Sequence, residues 1–284
     1  MQDIIDSVKK NNVQVYSVSE VLNGKCDTVR LLDCELSGET QCVRNIYSSS
    51  KAYTMSAIGF LWDEGKVKLD DSLGKIFGKL PEGSAPGWED VTVANLLQHK
   101  TGCTRGHDLD NENIRNLTDG DWLHYFWQAP ITEKRGEVRA YSDVNFFMLS
   151  CIVTKITGRP MQDYLRDKLF NPCKYRDWCW CADPQGRALG GTGLYLASFD
   201  YIKLMQLWLQ DGIWEGQRLI SKEWITLTEE NDYGLDCRSK EQGIYFKSGM
   251  LGQMMMYSRR DNRVIAIQSY SRNLGPVIDE VFPI

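Results

Sequence analysis

Period-two runs stand at both ends of this chain and helical spacing fills the middle, an ordering that constrains the fold more than any other feature. Near the start, Val13–Val18 and Thr28–Leu32 read as strands. Near the end, Ile244–Phe246, Met254–Tyr257 and Val264–Tyr270 do the same, with Arg259-Arg260-Asp261-Asn262 as a hairpin turn. Strands from opposite termini bury an apolar face by pairing, which predicts an antiparallel sheet built from both chain ends. Between them, Tyr53, Ala57, Ile58, Phe60 and Leu61 recur at helical spacing, with Ser48 to Ser50 as N-cap candidates and Gly65 as a stop. Further helices are expected at Val91–Leu97 (capped by Asp90 or Thr92), Asn145–Thr157, Met161–Leu169, Phe199–Gln210 and Ser221–Glu230. A short strand should follow the glycine-rich turn Gly190–Gly193. The predicted fold class is therefore α/β (α+β). Residues 1–64 and 186–284 would form a sheet domain, and residues 65–185 a mainly helical insertion.

Composition excludes several function classes. The 284 residues carry 33 Lys plus Arg against 38 Asp plus Glu, a formal net charge of −5. That balance gives no reason to expect nucleic acid or an anionic membrane as partner. No stretch approaches the length of a membrane span, and the first residues lack the pattern of a signal peptide. Nine cysteines, an odd count, read as free thiols in a reducing compartment, so a cytoplasmic setting is expected. Cys173, Cys179 and Cys181 cluster, but a metal site there would need further ligands, and the three histidines (His99, His107, His124) lie far upstream. Neither metal nor organic cofactor is expected. Trp122, Trp127, Trp178 and Trp180 read as core aromatics. Arg105 and His107 follow a glycine turn and receive no role.

Chemistry enters with Ser-x-x-Lys, which puts a hydroxyl and an amine on one helical face, one turn apart. A serine hydroxyl needs an adjacent base to become a nucleophile, and a lysine serves if burial lowers its pKa. The pattern occurs three times, at Ser7–Lys10, Ser48–Lys51 and Ser72–Lys75. Ser7 lies in a polar segment, and Ser72 follows Asp70 and Asp71, whose charges would keep a lysine protonated. Only Ser48 opens a long apolar helix, whose N-terminus also offers backbone N–H groups to a developing oxyanion.

The segments after Ser48 fall in a telling order. Ser48 to Lys51 is followed by Glu64-Gly65-Lys66 and Leu69-Asp70-Asp71, then by Val91–Gly102, by Tyr141-Ser142-Asp143 with its helix, and by Gly190–Leu194. From about residue 28 to 270 the chain resembles the serine β-lactamase-like family of class C β-lactamases, D,D-peptidases and esterases. The resemblance implies a β-lactamase/transpeptidase-like fold, with Ser48 as nucleophile and Lys51 and Tyr141 as proton carriers. Asp143 stands where the family's Tyr-x-Asn motif has asparagine. A carboxylate there can only accept unless protonated, and would pair with Lys51 and raise its pKa. The family's Lys-Thr/Ser-Gly motif matches Lys100-Thr101-Gly102 literally, but in the wrong chain order. Lys247-Ser248-Gly249, after a strand-like run, fits better, and implies an edge strand.

By the same resemblance, Lys247 and the Ser248 hydroxyl would hold a substrate carboxylate, Gly249 would admit substrate backbone, and Met250 N–H would join Ser48 N–H as oxyanion donor. The expected function is a serine hydrolase acting through an acyl-enzyme on an amide or ester of a small molecule or short peptide. Lys247-Ser248-Gly249 favours carboxylate-bearing D-peptides or β-lactams; Asp143 and a cytoplasmic setting favour a small ester or amide. The competing expectations are a penicillin-binding or sensor protein that acylates without efficient turnover, and a scaffold with a dead site. Oligomeric state leaves no mark in the sequence.

Overall fold

The computed structural model describes residues 1–31, 43–104, 120–271 and 273–284. Its strands are β1 (Val15–Leu22), β2 (Lys25–Arg30), β3 (Arg44–Asn45), β4 (Trp178–Trp180), β5 (Leu194–Leu196), β6 (Ile213–Trp214), β7 (Gln217–Arg218), β8 (Asp236–Ser239), β9 (Ile244–Gly249), β10 (Gln253–Ser258) and β11 (Arg263–Ser269). Six of them form the main sheet in the order β2-β1-β11-β10-β9-β8. Every neighbouring pair is antiparallel. The two chain ends meet where β1 pairs with β11, Val18 opposite Ile267 and Val21 opposite Val264. The expected two-ended sheet is therefore present.

Strand alternation gives the sheet two apolar faces. One carries Val18, Ile244, Met256, Ile265 and Ile267, covered by the helices Gln2–Lys10 and Gly275–Val281. The sequence reading missed both helices. Each is short and shows the sheet only a few apolar residues, Ile4 and Val8 in the first and Val277, Ile278 and Val281 in the second. Ser7 and Lys10 both bind Glu280, at 2.6 and 2.8 Å, clamping the two helices together. The first Ser-x-x-Lys is therefore a structural clasp.

The other face carries Val21, Tyr245, Met255, Tyr257, Val264 and Ala266 and packs on the main core. At its centre lies the helix Ser50–Asp63, buried at every position from Ser50 to Leu61. A helix apolar all round belongs in the interior, and this one packs against Asp143–Thr157. Gly65 follows it with φ +67, the stop expected from sequence. Thr92, not Asp90, caps Val93–Leu97, in a reciprocal capping box with Asn95. Ser142 and Ser221 cap the helices Asp143–Thr157 and Lys222–Asn231. Two expected helices are broken: Met161–Leu165 passes into a π-helical turn at Arg166–Phe170, and Ser198–Tyr201 is separated from Lys203–Leu209.

Trp127 is buried edge-on against Trp88, Trp180 donates to the Thr192 carbonyl, and Trp122 and Trp178 pack on the core, as their reading as core aromatics expects. Cys173 is buried whereas Cys179 and Cys181 are exposed. Among the described residues no three His, Cys, Asp or Glu side chains are grouped to share a metal. Arg105, His107 and Leu32 lie outside the described residues. No helix among the described residues is long and apolar enough to cross a membrane.

Candidate active site

A tight turn delivers Ser48. Tyr47 takes a left-handed conformation (φ +48), rare for a bulky residue, and its N–H is held by Asn45 Oδ1 at 2.8 Å. The turn Tyr47–Ser49 then runs straight into the helix Ser50–Asp63. None of the three serines caps the helix by side chain, contrary to the sequence expectation, because two of them are used as fasteners. Ser49 donates to the Lys247 carbonyl of β9 at 3.1 Å and accepts from the Tyr201 hydroxyl at 2.5 Å. Ser50 accepts from the Leu194 N–H of β5 at 3.2 Å. Both are fully buried, and Ser48 alone of the three keeps partial access to solvent.

Lys51 is completely buried one turn below. Its Nζ lies 3.4 Å from Ser48 Oγ, donates to the Gly191 carbonyl at 2.9 Å, and pairs with Asp143. An ammonium has three donors, and here all three face acceptors. Burial pushes the Lys51 pKa down, and the Asp143 carboxylate pulls it back up without cancelling that effect. The pairing foreseen from sequence is present, but desolvation outweighs it. Gly191 has no room for a side chain, since a Cβ would fall 2.6 Å from the Asp143 carbonyl. The glycine-rich segment thus lies against Lys51 with its carbonyls inward, Thr54 taking the Gly190 carbonyl at 2.8 Å.

Tyr141 and Asp143 flank Ser142 at the start of the helix Asp143–Thr157, whose N-terminal partial charge favours the Asp143 carboxylate. Tyr141 is 45% exposed, and its phenol interacts with the Ser48 hydroxyl. Burial raises the phenol pKa, opposed by the Lys247 ammonium and the Ser48 hydrogen bond. The Tyr141 ring stands 4.6 Å from Lys51 Nζ. His99, from the stretch Val91–Gly102, supports this loop. Its Nδ1 accepts from the Ser142 N–H at 3.3 Å, and its ring packs 4.5 Å from that of Tyr141.

Lys247 comes from β9 and is also buried, with Nζ 5.9 Å from the Tyr141 ring and 3.1 Å from Asp236 Oδ2. It is not a solvated edge lysine, and β9 is second from the edge, beside β8. Ser248 alternates with Lys247, lies opposite Met254 and lines a cavity of about 470 Å³ with Gly249, Met250 and Leu274. Packing alone requires glycine at 249, since a Cβ there would fall 2.1 Å from the Ile46 carbonyl, beneath the Ser48 turn. Gly249→Ala should therefore lower stability by about 1–3 kcal/mol, seen as a reduced thermal midpoint; an unchanged midpoint would contradict this packing. Met250 opens the turn after β9, 60% exposed, ahead of Leu251 with φ +60.

The remaining pattern matches are structural. Ser72 caps a short helix through the Lys75 N–H, and Lys75 pairs with Asp71, which raises the lysine pKa as expected. Lys100-Thr101-Gly102 is a loop in which the Gly102 carbonyl takes the N–H groups of Thr132 and Glu133, both at 3.0 Å.

Ser48, Lys51, Tyr141, Asp143 and Lys247 therefore converge, in an arrangement suited to moving a proton off a hydroxyl. Sequence reasoning missed Asp236. Gly234, at φ +82, brings the chain across the Lys51 helix just before it, within 3.1 Å of the Met55 side chain for an added Cβ. No motif marks that approach.

Comparison with known proteins places this geometry. The family model described as "Beta-lactamase" matches residues 43–276. The chain belongs to the beta-lactamase family. An Escherichia coli (strain K12) protein named "Putative D-alanyl-D-alanine carboxypeptidase" is 26% identical over 171 residues, which cover 57% of this chain and 39% of that protein. The chain thus spans well under half the length of that relative. Among solved structures, FmtA from Staphylococcus aureus aligns over 99% of this chain and 87% of its own with a TM-score of 0.78 at 15% identity. A penicillin binding protein from Bacillus halodurans aligns over 98% of both chains with a TM-score of 0.75 at 16% identity. These likenesses show the β-lactamase fold.

Proposed function

We propose that this member of the beta-lactamase family is a serine hydrolase that forms an acyl-enzyme at Ser48. One observation carries the reading: a partly accessible serine at a helix start has its hydroxyl between a buried lysine amine and a phenol. Ser48 Oγ attacks the carbonyl carbon of an amide or ester. Its proton passes into the Lys51–Tyr141 pair, and the carbonyl electrons move onto oxygen, held by the N–H groups of Ser48 and Met250. The tetrahedral intermediate collapses, and the leaving amine or alcohol departs with that proton. Water then attacks the ester at Ser48, giving its proton to the same pair, and the acid leaves as Ser48 regains its hydrogen. Lys247 adds positive potential near the phenol. The site lies where the sheet meets the helical residues between β3 and β4. Relatives named for D-alanyl-D-alanine carboxypeptidase activity and for penicillin binding support an acyl donor of the amide or ester class.

Labelling with a fluorophosphonate followed by peptide mapping tests this reading. The label should fall on the peptide containing Ser48, and labelling at Ser7 or Ser72, or none, would refute it. A second reading rests on the Lys51–Asp143 pair: a lysine held charged deacylates slowly, as in a penicillin-binding or sensor protein. Persistence of the acyl adduct on Ser48 separates the two, and Asp143→Asn tests the role of the pair. Because Asp143 pulls the Lys51 pKa up, its removal should move the rising limb of the kcat/KM–pH profile to lower pH. A limb that stays in place, or moves up, would show that Lys51 is not the titrating base.

A further inference from the structure

The charges of this site are arranged so that the positive groups lie inside and the negative groups face outward. Lys51 is 0% exposed and Lys247 5% by side chain, whereas Asp143 and Asp236 are 27% and 37% exposed. Each lysine is paired with one of these carboxylates, Lys51 with Asp143 and Lys247 with Asp236. The two ammonium groups also share one aromatic cover, since the Tyr141 ring lies 4.6 Å from Lys51 Nζ and 5.9 Å from Lys247 Nζ. The four charges sum to zero. An approaching substrate meets the phenol and two carboxylates before either ammonium.

From this arrangement we infer that Asp236 determines specificity: by occupying Lys247, it turns the site away from carboxylate-bearing substrates and toward acyl donors whose flanking group is neutral or cationic. The inference rests on the acyl-enzyme reading and names its substrate class. A carboxylate seeking Lys247 would have to displace Asp236 from a buried partner and lie against like charge, both unfavourable. Backbone geometry builds the pairing in. Asp232 ends the helix Lys222–Asn231 in the left-handed conformation (φ +57), Gly234 follows at φ +82, and Asp236 opens β8 beside β9. Arg139, exposed at the rim with its guanidinium 5.7 Å from the Tyr141 ring, is a further cation an anionic substrate could use, so the test must include the unaltered protein.

The experiment compares two thioesters of benzoylglycine that differ only in the leaving group, thioglycolate and its carboxamide counterpart, followed by thiol release and by adduct mass. In the full chain the carboxamide should be the better substrate by kcat/KM. In Asp236→Asn the carboxylate-to-carboxamide ratio should rise about tenfold, the size expected for one charge-assisted hydrogen bond made available. A full chain that prefers the carboxylate tenfold overturns the inference, and needs no variant to do so. So does an unchanged ratio in a folded Asp236→Asn. If a fluorophosphonate leaves Ser48 unmodified, the acyl-enzyme reading fails and this inference falls with it. Labelled Ser48 with the wrong selectivity overturns this inference alone.

Discussion

Ser48→Ala is expected to lower kcat/KM for an activated ester by about 10⁴-fold or more, the scale seen when a covalent nucleophile is removed. Structure should survive the change. Ser49 and Ser50 make the bonds that fasten the turn to β9 and β5, whereas Ser48 contributes only a long contact to Lys51 and an interaction with the Tyr141 phenol. A thermal midpoint close to that of the unaltered protein would separate lost chemistry from lost fold. Ser49→Ala is the informative contrast. It removes a buried hydroxyl bonded to Tyr201 and Lys247, and so should cost stability first. Comparable activity loss in both variants with intact folding would take the nucleophile role from Ser48.

Tyr141→Phe should be the next most damaging change, costing about 10²- to 10⁴-fold in kcat, the range for one general acid–base group. The reason lies in the hydrogen-bond count at Lys51. When charged, its three donors point at Asp143, the Gly191 carbonyl and Ser48 Oγ. With Lys51 donating to Ser48 Oγ, the serine's own hydrogen is directed to the Tyr141 oxygen. The phenol can take that hydrogen only by passing its own to an uncharged Lys51 amine, which burial favours, so the two residues act as one relay. Tyr141→Phe should be about as severe as Lys51→Met, since both belong to one relay. Because the phenylalanine keeps the ring over both lysines, the loss isolates the hydroxyl. A loss below about threefold, far under the usual acid–base contribution, would remove Tyr141 from the mechanism.

Legibility in the sequence followed the range of the interactions involved. The two-ended sheet was readable because strand-like runs are a local signal, even though β11 is buried at every position and β10 at all but one. The Asn23-Gly24 hairpin joining β1 to β2 was equally local, with φ +51 and +81, and the dipeptide is a strong turn signal that passed unread. The terminal helices were not readable, since their stability comes from the sheet face and from Glu280 across the whole length of chain. Within the site, Ser48, Lys51 and Tyr141 were legible through spacing and order. The reason for Gly249 is the Ile46 carbonyl, some 200 positions away in sequence and visible only in three dimensions. Asp236 was invisible for the same reason: a carboxylate in an unremarkable segment acquires its meaning only from Lys247, 3.1 Å distant once β8 and β9 pair.

The central claim is that Ser48 carries the acyl group. The most direct measurement is intact mass after exposure to a penicillin and, separately, to an activated ester, in the unaltered protein and in Ser48→Ala. A mass increase equal to the acyl group, or conversion of the reagent, is expected with at least one of the two, and neither in Ser48→Ala. Identical behaviour of the two proteins toward both reagents would contradict it.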